Sequence, residues 1–371
     1  MRICVCIFAK KEMALNCGII GISGSGKTTI FNCISNNRAQ TGSFSGKTNL
    51  GLIQVPDPRL YELEKIEPTE KIIQATVNIV DIPGLVKGGG ENSNNKFLAD
   101  IRGCDALIHV VRCFEDPTVP HPDGNVNPVR DIENIEIELE ARDLESVQKK
   151  MVKVEKQGKA GDKDAKACFD TLQKIQVHLE EFKPVRELEL SEAEKKWITD
   201  IQLLSAKPVL YVCNVDENSA ILGNKFSEQV AAFLGNTDNC LIIAGKIEAE
   251  IAELEDENDR KAFLDELGLT EPGVHKLVRS AYAFLKLQTF FTVGPKEIRA
   301  WTVKMGSLAP VAAGVIHSDL EKGFIRAEVM KYDDFISLKG EQHCKDKGKF
   351  FVEGKNYEVK DGDILHIRFN V

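Results

Sequence analysis

The sequence lacks a long apolar run and a recognisable leader. No stretch approaches the roughly 20 apolar residues that a membrane-spanning helix needs. The N-terminus carries only a short apolar patch, without the longer core and the cleavage site of a signal peptide. We therefore expect a cytoplasmic protein with no membrane partner. Met13 is an alternative start, because the first predicted strand follows it directly.

The sequence also lacks metal-binding cysteine spacings and an excess of positive charge. Its ten cysteines form no CxxC pair, and several lie in apolar runs, which favours buried free thiols. A redox role for one of them is the alternative. The net charge is −9, so the chain as a whole is not a polycation that coats nucleic acid. A local contact with RNA is compatible with this charge.

What is present is an ordinary globular composition over 371 residues, a length that favours two or three domains. Short apolar runs alternate with helix-favouring segments, which is typical of βαβ units. The sequence therefore predicts an α/β fold with a parallel sheet. The runs predicted as strands are NCGIIGI, ATVNIVDIPG, DALIHVVRCF, KPVLYVCNVDE and NCLIIAGK.

Two further segments have a different character. Residues 132–200 are dense in charge and keep apolar residues three and four apart, with a turn-rich break at GKAGDKDA. This predicts an antiparallel coiled-coil hairpin whose charged face is either solvated or docks a partner. Residues 288–371 predict a small β-rich domain. The nucleotide-binding domain is then expected in two parts, 13–131 and 201–287.

The segment GISGSGKT, from Gly21 to Thr28, follows an apolar strand and opens a helix, as a phosphate-binding P-loop requires. Its backbone N–H groups and the helix N-terminus would surround the phosphates of a nucleoside triphosphate. Lys27 would reach the β- and γ-phosphates, and Thr28 would ligate Mg²⁺. The predicted nucleotide contacts in this segment are Ser23, Gly24, Ser25, Gly26, Lys27, Thr28 and Thr29.

The segment DIPG ends the second predicted strand. Asp81 would hold the Mg²⁺ shell through water, and the Gly84 N–H would bond the γ-phosphate. Small GTPases place a glutamine next, which orients the attacking water. Leu85 stands there instead and transfers no proton. The candidate substitutes are His121, in a mobile-looking loop, and Lys87 with the backbone that follows it; an exposed His121 without a role is the alternative.

The segment NVDE ends the fourth predicted strand, where GTPases carry N-K-x-D, whose aspartate bonds the guanine edge. Here Glu217 replaces that aspartate and Val215 replaces the lysine. The longer carboxylate is displaced from guanine, which opens the site to ATP, and Asn214 or a backbone carbonyl could meet the adenine amine. The place of the last base-contacting loop is taken by Ala244, Gly245 and Lys246.

These segments together resemble the YchF/Obg-like ATPase family, a branch of the Obg-type NTPases associated with translation. The resemblance runs from Met13 nearly to the end and includes VPDPRL, DIPGLVKG, CDALIHVVRCFED, NPVRDIENIEIEL and DGDILHIRFNV. It implies a coiled-coil insertion and a C-terminal TGS domain of β-grasp fold. It also implies a preference for ATP over GTP and binding to the large ribosomal subunit and its rRNA.

The sequence departs from the family's usual first switch, F-C-T-I-E-P-N, and from its usual P-loop, G-x-P-N-V-G-K-S. At the switch it reads S-F-S-G-K-T-N, so Ser45, or alternatively Thr48, would be the metal-ligating hydroxyl. We expect a monomeric Mg²⁺-dependent ATPase with slow intrinsic turnover, in which Lys27 and His121 are catalytic and the nucleotide switches ribosome binding. A GTP-binding regulatory module is the alternative, and a metabolic kinase is disfavoured.

Overall fold

The structure is a computed structural model that describes residues 15–35, 49–84, 91–159, 161–236 and 238–370, with no side-chain description for 91–94. The chain divides into two compact units. The P-loop unit comprises Asn16–Gly51 and Ile79–Leu277, and the C-terminal unit comprises Leu52–Asn78 and the segment from Val278 onward. Residues 52–78 thus group with the C-terminal segment, whereas the boundaries predicted from the sequence place them within 13–131.

The described residues form twelve strands and fourteen α-helices. The strands are β1 (Asn16–Ile20), β2 (Asn49–Gln54), β3 (Ile72–Ile73), β4 (Thr76–Asp81), β5 (Ala106–Cys113), β6 (Val209–Val215), β7 (Cys240–Ile243), β8 (Leu287–Val293), β9 (Ile298–Lys304), β10 (Phe324–Lys331), β11 (Phe351–Glu353) and β12 (Asp363–Phe369). The helices are α1 (Lys27–Ser35), α2 (Arg59–Ile66), α3 (Glu91–Arg102), α4 (Pro128–Lys159), α5 (Lys163–Glu180), α6 (Glu192–Ile198), α7 (Lys225–Leu234), α8 (Gly245–Glu253), α9 (Glu257–Glu266), α10 (Gly273–Phe284), α11 (Ala309–Ile316), α12 (Ser318–Lys322), α13 (Tyr332–Leu338) and α14 (Glu341–Asp346).

The first sheet has the order β2-β4-β1-β5-β6-β7. The pairs β1–β5, β5–β6 and β6–β7 are parallel. Every residue of β5 and β6 is buried, as expected for central strands covered on both faces. The parallel α/β prediction is therefore confirmed. Because parallel strands end at one edge, the segments after β1, β5, β6 and β7 meet there, which is where such sheets bind ligands.

Helices α4 and α5 form the predicted helical hairpin. Apolar side chains of α4, among them Val147 and Val154, pack in one cluster with Leu172 and Ile175 of α5. Asp162 caps α5, since its carboxylate accepts from the N–H groups of the first helical turn. Packing of these apolar faces explains the three- and four-residue spacing in the sequence. No helix within the described ranges is long and apolar enough to cross a membrane.

The C-terminal unit contains the second sheet, of order β11-β10-β12-β8-β9-β3. Strands β8 and β9 are antiparallel, β12 returns parallel to β8, and β10 pairs with β12. This strand order, with α11 between the first pair and the rest, is that of a β-grasp fold. Phe290, Trp301, Val329 and Leu365 lie in its core. Strand β3 pairs with β9, and its two residues are too few for a recognisable sequence pattern.

Candidate nucleotide-binding site

The P-loop between β1 and α1 is closely packed against two neighbouring strands. Gly21, Gly24 and Gly26 have φ values of 148°, 78° and 92°, which L side chains rarely adopt. A Cβ at Gly26 would overlap the amide nitrogen of Asn214. Ser25 is fully buried, and its hydroxyl has no hydrogen-bond partner among the described residues. The glycines are therefore needed for the path of the loop, and Ser25 holds an uncommitted polar group.

Lys27 begins α1, and its side chain folds back over the loop. Its Nζ donates to the carbonyl oxygen of Ile22 at 2.6 Å. Burial lowers the pKa of Lys27 to about 8, and the nearby carboxylate of Asp81 opposes that shift. A Cβ placed on Gly84 would lie 2.9 Å from the Lys27 Nζ. The turn after β4 therefore meets the ammonium group at the P-loop, as the sequence predicts for two phosphate-binding segments.

Thr28 and Asp81 lie side by side. The Thr28 Oγ1 donates to the Asp81 Oδ2 at 3.1 Å, and Asp81 is buried. Burial raises the pKa of Asp81, while Lys27 and the hydroxyl of Thr28 act in the opposite direction. A hydroxyl and a carboxylate are the oxygen ligands that Mg²⁺ prefers, so the pair fits that ion. The other predicted metal ligands, Ser45 and Thr48, lie outside the described residues, as do Leu85 and Lys87.

Asn214 joins the P-loop to α8. Its Nδ2 donates to the carbonyl oxygen of Ser25, and its Oδ1 accepts from the N–H of Gly245, each at 2.9 Å. Asn214 is buried, and the neighbouring Val215 contributes its side chain to the hydrophobic core. The amide therefore has a structural task that the sequence pattern did not reveal. The side-chain carbonyl and one N–H of Asn214 are already hydrogen-bonded. The predicted contact with adenine would therefore have to use the second N–H of the amide.

Glu217 and Lys246 form an ion pair at the rim of this edge. Both side chains are exposed, and Glu217 raises the pKa of Lys246 through that contact. Ala244, the first residue of the AGK segment, is buried beneath. The carboxylate at the place of the guanine-reading aspartate is thus paired with a lysine in the first turn of α8. The structure brings the two segments together as the sequence predicts.

The side chain of His121 is buried and hydrogen-bonded rather than exposed. Its side chain is 3% exposed, and its Nε2 lies 3.0 Å from the Oδ2 of Asp131. Its Nδ1 accepts from the backbone N–H of Asp123 at 3.1 Å. A neutral ring that accepts at Nδ1 carries its proton on Nε2 and donates it to Asp131. The sequence predicts a histidine in a mobile loop. The structure differs from that expectation because Asp131, in the first turn of α4, binds the imidazole ring.

Ligand atoms of His121, Asp123 and Asp131 lie within 4.8 Å of one another. The guanidinium of Arg130 lies 3.6 Å from the Asp123 carboxylate and 3.5 Å from that of Asp131. An arginine therefore already supplies the positive charge at these carboxylates, and the cluster is better described as an ion-pair network than as a metal site.

Two residues of this region are not among those that the sequence predicts for the site. Asp131 holds His121, and Arg112 lies in β5 beside the P-loop. The signal for Arg112 was available, because it is the one charged residue in the apolar run ALIHVVRC. No comparable signal identified Asp131, since an acidic residue in the first turn of a helix is ordinary.

Two family profiles match the chain. The profile described as a 50S ribosome-binding GTPase matches residues 16–156. The profile for the C-terminal domain of YchF GTPases, described as a protein of unknown function, matches residues 287–370. The two matches fall on the segments with the P-loop and the β-grasp sheet.

Curated relatives and a solved structure match nearly the whole length. The ribosome-binding ATPase YchF of Haemophilus ducreyi is 44% identical over 366 residues, which cover 97% of this chain and 100% of that protein. The protein of the same name from Bacillus subtilis is 42% identical over 367 residues, with the same coverage. The structure of the Schizosaccharomyces pombe YchF GTPase is 31% identical, with a TM-score of 0.85 over 96% of this chain and 98% of that one.

Proposed function

This chain belongs to the YchF family of P-loop NTPases, and we propose that it is a Mg²⁺-dependent ATPase that acts as a nucleotide-dependent switch on the large ribosomal subunit. The names of the relatives, which are ribosome-binding ATPases, support both parts of the proposal. So does the match of residues 16–156 to a 50S ribosome-binding GTPase profile. The observation that carries it is the grouping of Lys27, Thr28 and Asp81 at the P-loop.

In this proposal the Lys27 ammonium changes its hydrogen-bond acceptor when the nucleotide binds. Its ammonium leaves the carbonyl of Ile22 and donates to the β- and γ-phosphates, which are stronger acceptors because they carry charge. Thr28 and Asp81 would hold Mg²⁺, which neutralises charge that develops on the phosphates. The N–H of Gly84, next to the Lys27 Nζ, would bond the γ-phosphate and so respond to its loss.

The base end of the site favours ATP over GTP. Glu217 is one methylene longer than the aspartate that reads guanine, and it is already paired with Lys246. Guanine would have to compete with this pair, whereas adenine offers no pair of donors for a carboxylate. The alternative is a GTP-binding regulatory module whose hydrolysis is incidental. It draws support from the word GTPase in the name of the S. pombe relative and in both family profiles.

Equilibrium binding of ATP and GTP to the wild type and to Glu217→Asp tests the choice of base. We expect wild type to bind ATP more tightly, and the shorter carboxylate to raise GTP affinity relative to ATP. Glu228→Asp, on the exposed face of α7, is the matched control. Val215 is left unchanged because its side chain is buried. Tighter binding of GTP by the wild type would favour the regulatory GTP module instead.

Hydrolysis is proposed to depend on a partner. Leu85 orients no water, and His121 has its Nε2 proton committed to Asp131. For His121 to orient or deprotonate the attacking water, the contact with Asp131 has to break. Docking of the ribosome would supply the free energy for that release. The intrinsic turnover is then slow, and turnover on the large subunit is faster.

A further inference from the structure

Arg112 is a charged side chain in a strand whose other residues, apart from His109, are apolar. Every residue of β5 is buried, and Arg112 itself is 1% exposed. Placing a guanidinium in such a position costs free energy unless its N–H groups are bonded. The contacts of its three nitrogen atoms therefore indicate which groups the guanidinium binds.

Two of the three nitrogens hold the loop that follows β5. The Nε donates to the carbonyl oxygen of Phe114 at 3.2 Å, and the Nη2 donates to that of Val119 at 2.8 Å. The third nitrogen, Nη1, is buried and has no hydrogen-bond partner in the part of the chain that the structure describes. Arg112 thus organises residues 114–119 and keeps one donor unused.

The unused donor lies beside the P-loop. A Cβ built on Gly24 would lie 3.4 Å from the Arg112 Nη1 and 3.2 Å from a methyl carbon of Val119. Gly24 has a φ of 78°, so the side of the loop that faces Arg112 is kept free of a side chain. The Nη1 therefore faces the P-loop across a gap that a Cβ would fill.

The nearby carboxylates leave this donor free. Asp116 and Asp131 both act electrostatically on Arg112, but the first accepts from Thr118 and the second from His121. Burial lowers the pKa of Arg112, and the two carboxylates oppose that shift. An arginine nonetheless stays protonated in proteins, so the Nη1 offers a full charge-assisted donor.

We propose that Arg112 is a phosphate-binding residue of the nucleotide site and donates its Nη1 to a phosphate oxygen of the bound nucleotide. The inference rests on the proposed nucleotide function. Phosphate is the anion that a guanidinium binds best, and it is the anion that a P-loop holds. Since the same guanidinium holds residues 114–119, bound phosphate and the loop leading to His121 would share one side chain. Arg112 would thereby connect nucleotide occupancy to the position of that histidine.

Calorimetric titration of the full chain with Mg²⁺–ADP, comparing wild type, Arg112→Gln and Arg112→Lys, tests the inference. We expect Arg112→Gln to weaken ADP binding by roughly 10- to 100-fold, the scale of one charge-assisted hydrogen bond. Arg112→Lys keeps the charge but not the planar fork, so its loss should be smaller. Arg186→Gln is the matched control, because Arg186 is largely buried in the same unit but already bonded to Glu136 at 2.7 Å. Its ADP affinity should remain within twofold of wild type.

A second readout separates contact from loop structure and does not need the variants to fold. In wild type, the guanidinium ¹⁵N–¹H signal assigned to Arg112 should shift on addition of pyrophosphate, which carries phosphate without base or ribose. An unshifted signal with pyrophosphate bound, or a folded Arg112→Gln that binds ADP as wild type does, would overturn the inference and leave the nucleotide site intact. If wild type binds neither ADP nor pyrophosphate, the proposed function itself fails.

Discussion

The two compact units treat their buried polar groups in opposite ways. In the P-loop unit, seven buried side-chain atoms have no hydrogen-bond partner among the described residues. The C-terminal unit has none in the portion that the structure describes. The seven atoms are Ser25 Oγ, His109 Nδ1, Arg112 Nη1, Arg130 Nε, Asp131 Oδ1, Asn134 Nδ2 and Glu140 Oε2.

The C-terminal unit shows how such groups are satisfied within one chain. Asp363 is fully buried, and its carboxylate accepts from the Lys331 Nζ at 2.6 Å and the Tyr357 hydroxyl at 2.7 Å. Arg59 donates to both Asp57 and Asp361. The hydrogen-bonding groups of these side chains are satisfied within the chain, without a ligand.

Buried polar atoms without a partner in the P-loop unit indicate where a bound ligand would supply hydrogen-bond partners. Arg130 Nε and Asp131 Oδ1 take part in the ion pairs described above, whereas a buried polar atom without a partner costs about 1–3 kcal/mol. The Arg112 Nη1 lies beside the P-loop, where the phosphate proposed above would be its acceptor, and the Ser25 hydroxyl is buried within the loop itself. His109, Asn134 and Glu140 lie instead along β5 and α4, and no phosphate motif accounts for them.

The largest expected effect is on the phosphate cradle. Lys27→Ala should weaken Mg²⁺–ATP binding by about 2–4 kcal/mol, because a charge-assisted contact to the phosphates is lost. Equilibrium binding measures it, with Lys207→Ala, a lysine of the same unit that donates to backbone carbonyls, as the matched control. Wild-type ATP affinity in a folded Lys27→Ala variant would rule out the phosphate site at the P-loop.

A substitution in the C-terminal unit should have the opposite profile. Asp363→Ala removes the acceptor shared by Lys331 and Tyr357, and we expect about 2–4 kcal/mol less stability towards urea. Nucleotide affinity should not change, since the predicted contacts all lie in the P-loop unit. Asp346→Ala, at an exposed position of α14, should change stability by less than about 0.5 kcal/mol. Loss of ATP affinity in a folded Asp363→Ala variant would contradict the assignment of nucleotide binding to the P-loop unit alone.

A smaller effect concerns Glu140, which is buried on α4 and has an unpaired Oε2. Burial, and then the neighbouring Glu136, raise its pKa from 4.5 to about 7. Between these values the native state binds more protons than the unfolded chain, so this group lowers stability as the pH rises. Glu140→Gln should therefore be more stable than wild type by about 1–2 kcal/mol at pH 8, with a smaller gain at pH 5.

Urea unfolding at the two pH values measures this effect, with the exposed Glu145→Gln of the same helix as control. The Glu145 variant should show no such pH-dependent gain. Equal stability of Glu140→Gln and wild type at both pH values would mean that Glu140 is solvated in solution and does not belong with the unpaired groups.

The sequence predicted the parts of the fold that repeat locally. Apolar strands such as β5 and the spaced apolar residues of α4 follow from periodicity alone, and the P-loop from its glycines and Lys27. The two-residue strand β3 could not be predicted from local periodicity, because its position depends on pairing with β9, far along the chain. Grouping of residues 52–78 with the C-terminal segment depends on the same long-range contacts.

In the candidate site, too, local motifs could be predicted from the sequence and long-range contacts could not. The meeting of Thr28 with Asp81, and of Glu217 with Lys246, follows from motifs at the ends of neighbouring strands. The bond between His121 and Asp131 does not, because nothing in a loop sequence shows which acid its histidine meets. In the proposed function, that bond has to break before His121 can reach the attacking water.

The most direct test of the central claim is the rate of ATP hydrolysis with and without purified large ribosomal subunits, measured for wild type and His121→Ala. We expect slow turnover of wild type alone and faster turnover with the subunits. We expect His121→Ala to keep its ATP affinity but to lose most of the stimulation. A wild-type rate that the subunits leave unchanged would contradict the ribosome-dependent switch, and full stimulation of His121→Ala would contradict the role assigned to that histidine.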